Sequence, residues 1–436
     1  MVDDGSAATA MLGLPGFVLI AVSELEDEIE QAIQTTADVV GCPGCGAVAV
    51  AHGRRPVRVR DLPAAGRAVT LIWVKRLWRC PHPRCEVVTW SERSEEIRPR
   101  SSLTERTRKE ACRRVGRDGH TVAQVAAQFG VSWATVMKAV AEYGQAAVDD
   151  PARLEGVRTL GVDETAFTAA GPRRSTTFAT GIVDMSGPTA RLLDVVPGRS
   201  GKALAQWISE QPPGWAEQVQ VAALDPFRGY AAALTAALPG AVRVLDCFHV
   251  TRLGFAAVDD VRRRVQREAT GHRGRKDEPL YRIRRVLRRR ADHLTEHSWQ
   301  RLVTGLALGD VDQQIGRTWI AAQDLRRIYT APNRAVAADR LYRWLTFCID
   351  TGIPELRRLA RTIDSWTEEL LAYFDTGGVS NGPTEATNLL IKKIKRSGHG
   401  FRNFGNYRLR LILNCGVTWQ NHNPTPLRGH SPRSAA

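Results

Sequence analysis

The chain has 436 residues and no apolar run long enough to cross a bilayer. The run Met11 to Val22 is broken by Gly13, Pro15 and Gly16 and lacks the basic front of a secretion signal, so the sequence offers no export route. Cysteine is scarce: eight in all, four of them in two close pairs, a pattern that argues against a disulfide framework and for a metal site in a reducing compartment. Cytoplasm is the expected location, at the nucleoid if the partner is DNA. Lys and Arg are absent from Met1 to Asp38, and no acidic residue follows Glu385. These two gaps predict an acidic leader over residues 1–40 and a C-terminal half that faces a polyanion.

What is present points the same way. A formal net charge of +15 and a pI near 9.9 suit a nucleic-acid partner, with an anionic membrane surface as the weaker reading. The length predicts two to four folding units. Solvated helix faces account for a share of the basic residues on any one helix.

The leader carries one candidate amphipathic helix, near Glu24 to Ile33. After it, Cys42 and Cys45 precede strand-like alternation (Val57, Val59, then Val69, Leu71, Trp73), and Cys80 and Cys85 follow. Two cysteine knuckles flanking a hairpin can close four thiolates around one structural zinc, giving a zinc-binding module over residues 41–95. The alternatives are a pair that is merely buried, or His82 in place of one cysteine. Residues 96–150 turn helical. Thr121 to Val136 fits a helix capped by Thr121, a tight turn at Gly130 and a second helix capped by Ser132, the shape of a helix-turn-helix, although any two-helix hairpin shares much of the pattern. The start of its second helix, with Ser132, Trp133, Thr135 and Lys138, is the part expected to face DNA.

Residues 155–250 read as three successive strands, Thr159 to Phe167, Thr176 to Asp184 and Arg191 to Val196. Helix and strand then alternate: helix Gly201 to Glu210, strand Val219 to Asp225, helix Arg228 to Leu238, strand Val242 to Phe248. An antiparallel meander extended by parallel strands is the order of a ribonuclease H-like sheet. Residues 251–376 show helical periodicity almost throughout, clearest along Leu356, Leu359, Ile363, Trp366, Leu370 and Phe374, and dense arginine from Arg282 to Arg290. They read as an all-helical insertion or as an independent helical domain. Residues 377–420 open a further helix at Ser380-Asn381-Gly382-Pro383, with Glu385 in its first turn. Lys392, Lys393, Lys395, Arg396, Arg402, Arg408 and Arg410 would then line a phosphate track, and residues 421–436 read as a loose tail. The expected fold class is therefore multidomain α/β: a zinc-binding module, a helix-turn-helix and a ribonuclease H-like mixed sheet core interrupted by an all-helical insertion.

This order places Asp163 on the first core strand, Asp225 at the end of the fourth, and Glu385 on the late helix. Three carboxylates in one pocket raise one another's pKa unless cations neutralise them. Two magnesium or manganese ions roughly 3.5–4 Å apart would permit phosphodiester cleavage and transfer. Taken singly, an Asp at a strand end is more often a turn residue.

The residues also resemble a known family, the bacterial insertion-sequence transposases of the ISL-three type, members of the DDE group. The resemblance is carried by the paired-cysteine module with Asp61-Leu62-Pro63 and Arg76-Leu77-Trp78-Arg79-Cys80, by the helix-turn-helix, and by Gly161-Val162-Asp163-Glu164 and Asp246-Cys247-Phe248-His249. It continues through Ser380-Asn381-Gly382-Pro383-Thr384-Glu385 to Gly400-Phe401-Arg402-Asn403-Phe404 and Tyr407-Arg408-Leu409-Arg410. It implies binding to the terminal inverted repeats of a mobile element, metal-dependent nicking there, and attack of the freed 3′-hydroxyl on target DNA by a homodimer or higher oligomer. By motif, Asp163 is the first acid and Glu385 the third. Asp225 is favoured as the second, with Asp246 as the competitor and His249 either a supporting group or a satisfied core histidine. A non-catalytic DNA-binding regulator or domesticated relative is the alternative function.

Overall fold

The computed structural model describes residues 4–37 and 39–419, which fall into two compact units. One comprises the chain up to Asp150 together with Ile394–His399 and the chain from Gly405; the other comprises Pro151–Lys393 and Gly400–Phe404. Among the described residues no helix is long and apolar enough to cross a membrane. The tail read at 421–436 lies outside the described residues.

The first unit opens with α1 (Asp4–Leu12), β1 (Phe17–Glu24) and β2 (Glu28–Thr35), followed by the long hairpin β3 (Val50–Ala64) and β4 (Arg67–Arg79) and the short β5 (Thr89–Ser91). These strands form one sheet in the order β1-β2-β4-β3, with β5 on β4. The expected helix near Glu24 to Ile33 is therefore a strand. Ile29 and Ile33, both buried, are four residues apart, a spacing that satisfies a helix and a strand equally; parallel pairing of β2 with β4 decides the matter. Nor do residues 1–40 stand apart as a leader. Glu24 meets Arg67 at 3.1 Å, Glu28 meets Arg60 at 2.6 Å, and Glu30 pairs with Arg58, so the hairpin neutralises the acids that the sequence had segregated.

Asp61, which is 3% exposed, ties this sheet to the helices that follow. It accepts hydrogen bonds from Thr104 Oγ1 at 2.7 Å and Arg106 Nε at 2.8 Å, at the start of α2 (Glu105–Gly116). Then come α3 (Val122–Phe129) and α4 (Trp133–Val148). Thr121 and Gln124 form a capping box on α3, Gly130 turns the chain at φ +63°, and Ser132 caps α4. Val122, Val125, Ala126 and Phe129 are buried on one face, and Val136 packs back on them.

The second unit is built on β6 (Thr159–Thr168), β7 (Thr177–Asp184) and β8 (Arg191–Pro197), then α5 (Gly201–Ser209), α6 (Trp215–Gln218), β9 (Val221–Leu224), α7 (Arg228–Ala237) and β10 (Val242–Leu245). The sheet order is β10-β9-β6-β7-β8, with β6, β9 and β10 parallel and β7 antiparallel to its neighbours, the mixed arrangement of a ribonuclease H-like core. The last strand stops at Leu245, short of the expected Phe248, because Asp246 caps the next helix, α8 (Cys247–Thr270).

Helices α9 (Pro279–Arg282), α10 (Glu296–Gly309), α11 (Gln314–Ile328), α12 (Arg334–Asp350), α13 (Pro354–Asp364) and α14 (Thr367–Asp375) follow. The arginine-dense stretch is mostly turns after α9. The apolar seam of residues 356–374 is shared by two helices that break at Ser365-Trp366. One hydrophobic core runs from Leu160, Val162 and Leu224 of the sheet to Leu356, Ile363 and Leu370 of these helices, so the helical segment packs on the sheet and not by itself.

Two helices close the described chain, α15 (Gly382–Ser397) and α16 (Phe404–Cys415). The expected assignment of residues 377–420 to the catalytic core holds for only part of them, since Ile394–His399 and the chain from Gly405 belong to the first unit. There Leu409 and Leu413 reach Gly144 of α4, Asn414 Nδ2 donates to Gly116 O at 2.9 Å, and Arg410 Nη2 donates to His120 O at 3.0 Å. Arg410 is 4% exposed and forms no part of a surface phosphate track.

Candidate active site

Register on the core sheet decides where the acids lie. Val162 of β6 pairs with Leu224 of β9, and Leu224 pairs with Leu245 of β10. The next residues, Asp163, Asp225 and Asp246, therefore stand in a row across three adjacent parallel strands, whose spacing is about 4.8 Å. Because side chains alternate along a strand, Leu160 and Val162 enter the core while Gly161 and Asp163 share the opposite face.

Helix α15 starts on that face. A Cβ on Gly161 would lie 2.0 Å from Thr384 Oγ1 and 2.9 Å from Asn381 Oδ1, so only glycine admits the helix this closely. Asn381, fully buried, sends its side-chain amide to Val162 O at 3.1 Å and Asp225 Oδ1 at 3.4 Å, and its backbone N–H to Asp246 Oδ1 at 3.0 Å. One turn beyond Glu385 on the same helix face, Asn388 Nδ2 donates to Asp163 Oδ2. The sequence marks Asn381 only as part of the opening of this helix and does not mark Asn388; the Glu-x-x-Asn spacing in the first turns of α15 was the available signal for the latter.

His249, in the first turn of α8, completes the group. Its Nδ1 lies 2.9 Å from Asp246 Oδ2, 3.0 Å from Asp225 Oδ1 and 4.0 Å from Glu385 Oε1. Donor atoms of Asp225, Asp246 and His249 all lie within 4.8 Å of one another. All five residues singled out in the sequence thus meet in one chain of contacts: Asp163 with Asp225, Asp225 with His249, His249 with Asp246 and Glu385.

The electrostatics are those of crowded carboxylates. Burial, reinforced by the Asp225 carboxylate, pushes Asp163 up to about 7. Burial and the negative charge of Asp246 also raise Glu385. Burial works to lower His249, but its hydrogen bonds to Asp225 and Asp246 prevail and hold it charged, at about 10. Burial opposes ionisation of Asp246 too, yet the ring and amide of His249 and the amide of Asn381 keep its pKa below the usual value. One imidazolium does not balance four carboxylates, so the cluster suits added cations. The ligand atoms within 4.8 Å of one another are those of Asp225, Asp246 and the His249 ring, the carboxylates of Asp163 and Glu385 flank them, and the side-chain oxygens of Asn381 and Asn388 are buried there without a hydrogen-bond partner; carboxylate oxygens of this kind fit a hard divalent ion. The two competing acids differ in what they have left to offer. Both oxygens of Asp246 are taken by His249 and Asn381 and its side chain is 1% exposed, whereas that of Asp225 is 18% exposed.

A second donor set lies in the first unit. Cys42 Sγ and Cys85 Sγ are 3.6 Å apart, Cys45 Sγ and Cys80 Sγ 3.5 Å, and all four sulfurs lie within 4.8 Å of one another. Burial disfavours the Cys42 thiolate, but the amides of Cys45 and Gly44 outweigh it and bring its pKa down to about 7. His82 is exposed and donates its backbone N–H to Cys80 Sγ at 3.4 Å, so it supports the cluster from outside. Four soft ligands in a closed set fit zinc.

Of the residues expected to face DNA, Trp133 is 51% exposed and Lys138 is exposed on α4, while Thr135 is half-buried and the Ser132 hydroxyl caps the helix. Lys392, Lys393 and Arg396 are exposed along α15; Lys395 is half-buried and its pKa is lowered by desolvation. Arg402 is exposed between α15 and α16, and Arg408 is half-buried on α16.

Comparison with known proteins gives a consistent result. The transposase model of the ISL3 group matches residues 160–411, more than half of the chain. The zinc-finger of transposase IS204/IS1001/IS1096/IS1165 matches residues 38–90, and the helix-turn-helix domain of transposase family ISL3 matches residues 92–144. The transposase for insertion sequence element IS1001 of Bordetella parapertussis is 27% identical over 87% of this chain and 89% of its own. That for IS1557 of Mycobacterium tuberculosis is 25% identical over 70% and 69%. A solved structure, the Drosophila P element transposase strand transfer complex, covers 70% of this chain and 90% of its own at 10% identity, with a TM-score of 0.38.

Proposed function

The chain belongs to the ISL3 family of insertion-sequence transposases, and from that premise we propose that it binds the terminal inverted repeats of its element and cuts and joins DNA with Asp163, Asp225 and Glu385 as ligands of two divalent cations, magnesium or manganese. The observation that carries this reading is the row of aspartates at matching register positions on three adjacent strands, with α15 seated on it through Gly161 and Asn388. When bound, such ions activate a water or 3′-hydroxyl and stabilise the leaving oxygen.

The chain's own residues supply position and charge. Asn388 fixes the rotamer of Asp163, and Asn381 ties Asp225 to the start of the helix that bears Glu385. Asp246 and His249 act as positioning residues: Asp246 anchors α15 through the Asn381 amide, and the imidazolium tempers the charge on Asp225. Asp225 is the better second ligand because Asp246 has both oxygens committed. Zinc on Cys42, Cys45, Cys80 and Cys85 stabilises the N-terminal sheet. Ser132, Trp133, Thr135 and Lys138 face the major groove, and Lys392, Lys393, Lys395, Arg396, Arg402 and Arg408 follow the phosphates. Two ends must be joined, so the working form is a homodimer or larger assembly in the cytoplasm, at the nucleoid.

The test is cleavage of end-bearing DNA in magnesium. Asp163→Asn and Glu385→Gln should each slow strand cutting by about 10³-fold, the several kcal/mol that metal catalysis supplies, while leaving DNA affinity within about threefold. Undiminished cutting by either variant would overturn the assignment and leave a DNA-binding protein without this chemistry.

A further inference from the structure

The arginine-dense stretch from Arg282 to Arg290, at the end of α9, has no part in the mechanism above. Its apolar residues Ile283, Val286 and Leu287 recur at helical spacing and are buried, which turns the arginines between them outward. Buried Gln323 of α11 fixes the backbone beyond them: its side-chain oxygen accepts from Ala291 N–H at 3.0 Å, and its Nε2 donates to Arg289 O at 3.1 Å. Helix α10 closes on the stretch at Gly305, where a Cβ would lie 2.6 Å from Ile283 Cγ2. One turn before that glycine, Arg301 Nη2 donates to Arg282 O at 3.2 Å and so joins the same surface.

These arginines divide into two groups. Arg288 and Arg290 are neutralised, by Asp259 at 2.7 Å and Asp292 at 3.0 Å. Arg282, Arg284, Arg285, Arg289 and Arg301 form no ion pair among the described residues, and all five line one cavity of about 570 Å³. Val286 and buried Ser298 complete its lining, so that among the described residues it contains neither an acid nor an aromatic ring. Two of the five are also oriented from within. Arg289 Nη1 donates to Ser298 Oγ at 3.4 Å, and Arg284 lies over the Tyr281 ring at 3.8 Å while donating to Tyr281 O at 2.8 Å. A neighbouring cavity of about 560 Å³ shares Arg282 and Arg301 and adds His297, Gln300 and Thr304, which prolongs the row of donors along α10.

Guanidinium groups held together on a fixed backbone repel one another, and a partner that carries several negative charges relieves the repulsion. The guanidinium fork matches phosphate oxygens. Without a ring for a base to stack on, the lining recognises phosphate and not base identity, and backbone contacts of that kind carry no sequence information. We propose that this face of the helical segment is a second DNA site, which holds the backbone of the target duplex irrespective of its sequence while the element's ends are held elsewhere. The proposal rests on the transposase reading and deepens it, since joining needs a second duplex that the helix-turn-helix has no reason to select.

The experiment uses the full-length protein bound in calcium to an immobilised duplex carrying one of the DNA junctions that flank its gene, to which a labelled duplex of unrelated sequence is added. The parent should capture the second duplex. Arg285→Gln/Arg289→Gln should capture it roughly tenfold less well, with the slope of log affinity against log salt shallower by about 2, and Arg285→Lys/Arg289→Lys should recover most of the loss. In magnesium the glutamine variant should cut the junction duplex within about twofold of the parent and join it to a plasmid roughly tenfold less. Undiminished capture by the glutamine variant, no capture by the parent, or an equal fall in cutting and joining would overturn the proposal. So would displacement of the second duplex by an equimolar amount of inorganic triphosphate, which would identify a small polyphosphate as the occupant. If capture depends on the two arginines but the parent never cuts in magnesium, the site stands as a sequence-independent DNA contact and the metal assignment falls; normal cutting and joining by the glutamine variant would give the reverse.

Discussion

The two donor clusters of this protein are opposites in origin. The four sulfurs come from 44 consecutive residues, Cys42 to Cys85, and a single hairpin brings them together. The oxygens come from Asp163, Asp225, Asp246 and Glu385, and meet only when three strands are in register and a helix returns from the far end of the unit. The sulfur set is closed and has no open position for substrate. The oxygen set is part-exposed and short of positive charge. A site made by local sequence can stabilise a fold; a site made by tertiary structure depends on one and can hold an unfavourable charge distribution for use in chemistry.

The most severe way to break this comparison is to remove the metal from the sulfur set. Structural zinc contributes on the order of 10 kcal/mol or more to small domains. Chelation should therefore unfold the β3/β4 region and lower end-DNA affinity by about 100-fold or more, while hydrogen exchange in β6, β7 and β9 remains slow. Simultaneous loss of protection in those strands would show that the two clusters are not independent.

A step smaller is Asp61→Asn. Removing one member of a buried ion pair costs about 3–5 kcal/mol, so the first unit should lose much of its stability in a denaturant titration. The same pair predicts a pH effect. Burial tends to raise the Asp61 carboxyl, but Arg106 and Thr104 prevail and hold it below its ordinary value. A depressed folded pKa stabilises above the unfolded value near 4 and is lost as pH falls through the folded one. Acid unfolding of the first unit should therefore begin at higher pH in Asp61→Asn than in the parent.

Gly161→Ala sharpens the comparison from the other side. The new methyl would meet Thr384 Oγ1, and overpacking of this kind costs about 1–3 kcal/mol. Cutting should fall by more than tenfold, because α15 moves, while zinc content stays unchanged. The smallest effect is expected of Thr121→Ala, which removes the cap of α3 at a cost of about 1 kcal/mol and should weaken DNA binding without changing the cutting rate per bound complex.

Much of this was readable before folding because the signals are short-range. Thr121, Gly130 and Ser132 punctuate the helix-turn-helix in a way that propensity alone identifies, and the cysteine spacing does the same for the metal knuckles. The row of acids needed only the strand order. What escaped was whatever depends on partners distant in sequence. The strand of β2 was hidden because Ile29 and Ile33 fit two periods and its ladder partner, β4, lies forty residues away. The acids of the first forty residues read as a separate acidic leader, whereas Glu24, Glu28 and Glu30 pair with Arg67, Arg60 and Arg58 of the hairpin. Arg410 resembled its basic neighbours until packing placed it under His120. Asn388 could be placed on the Glu385 face, but its bond to Asp163 spans 225 residues.

Helix α15 leaves the catalytic unit at Lys393 and finishes in the DNA-reading unit, where α16 then lies against α4 and α2. A chain that stops before Leu409 lacks the side chains that pack against Gly144, so the first unit is complete only when residues from both ends of the sequence have been made.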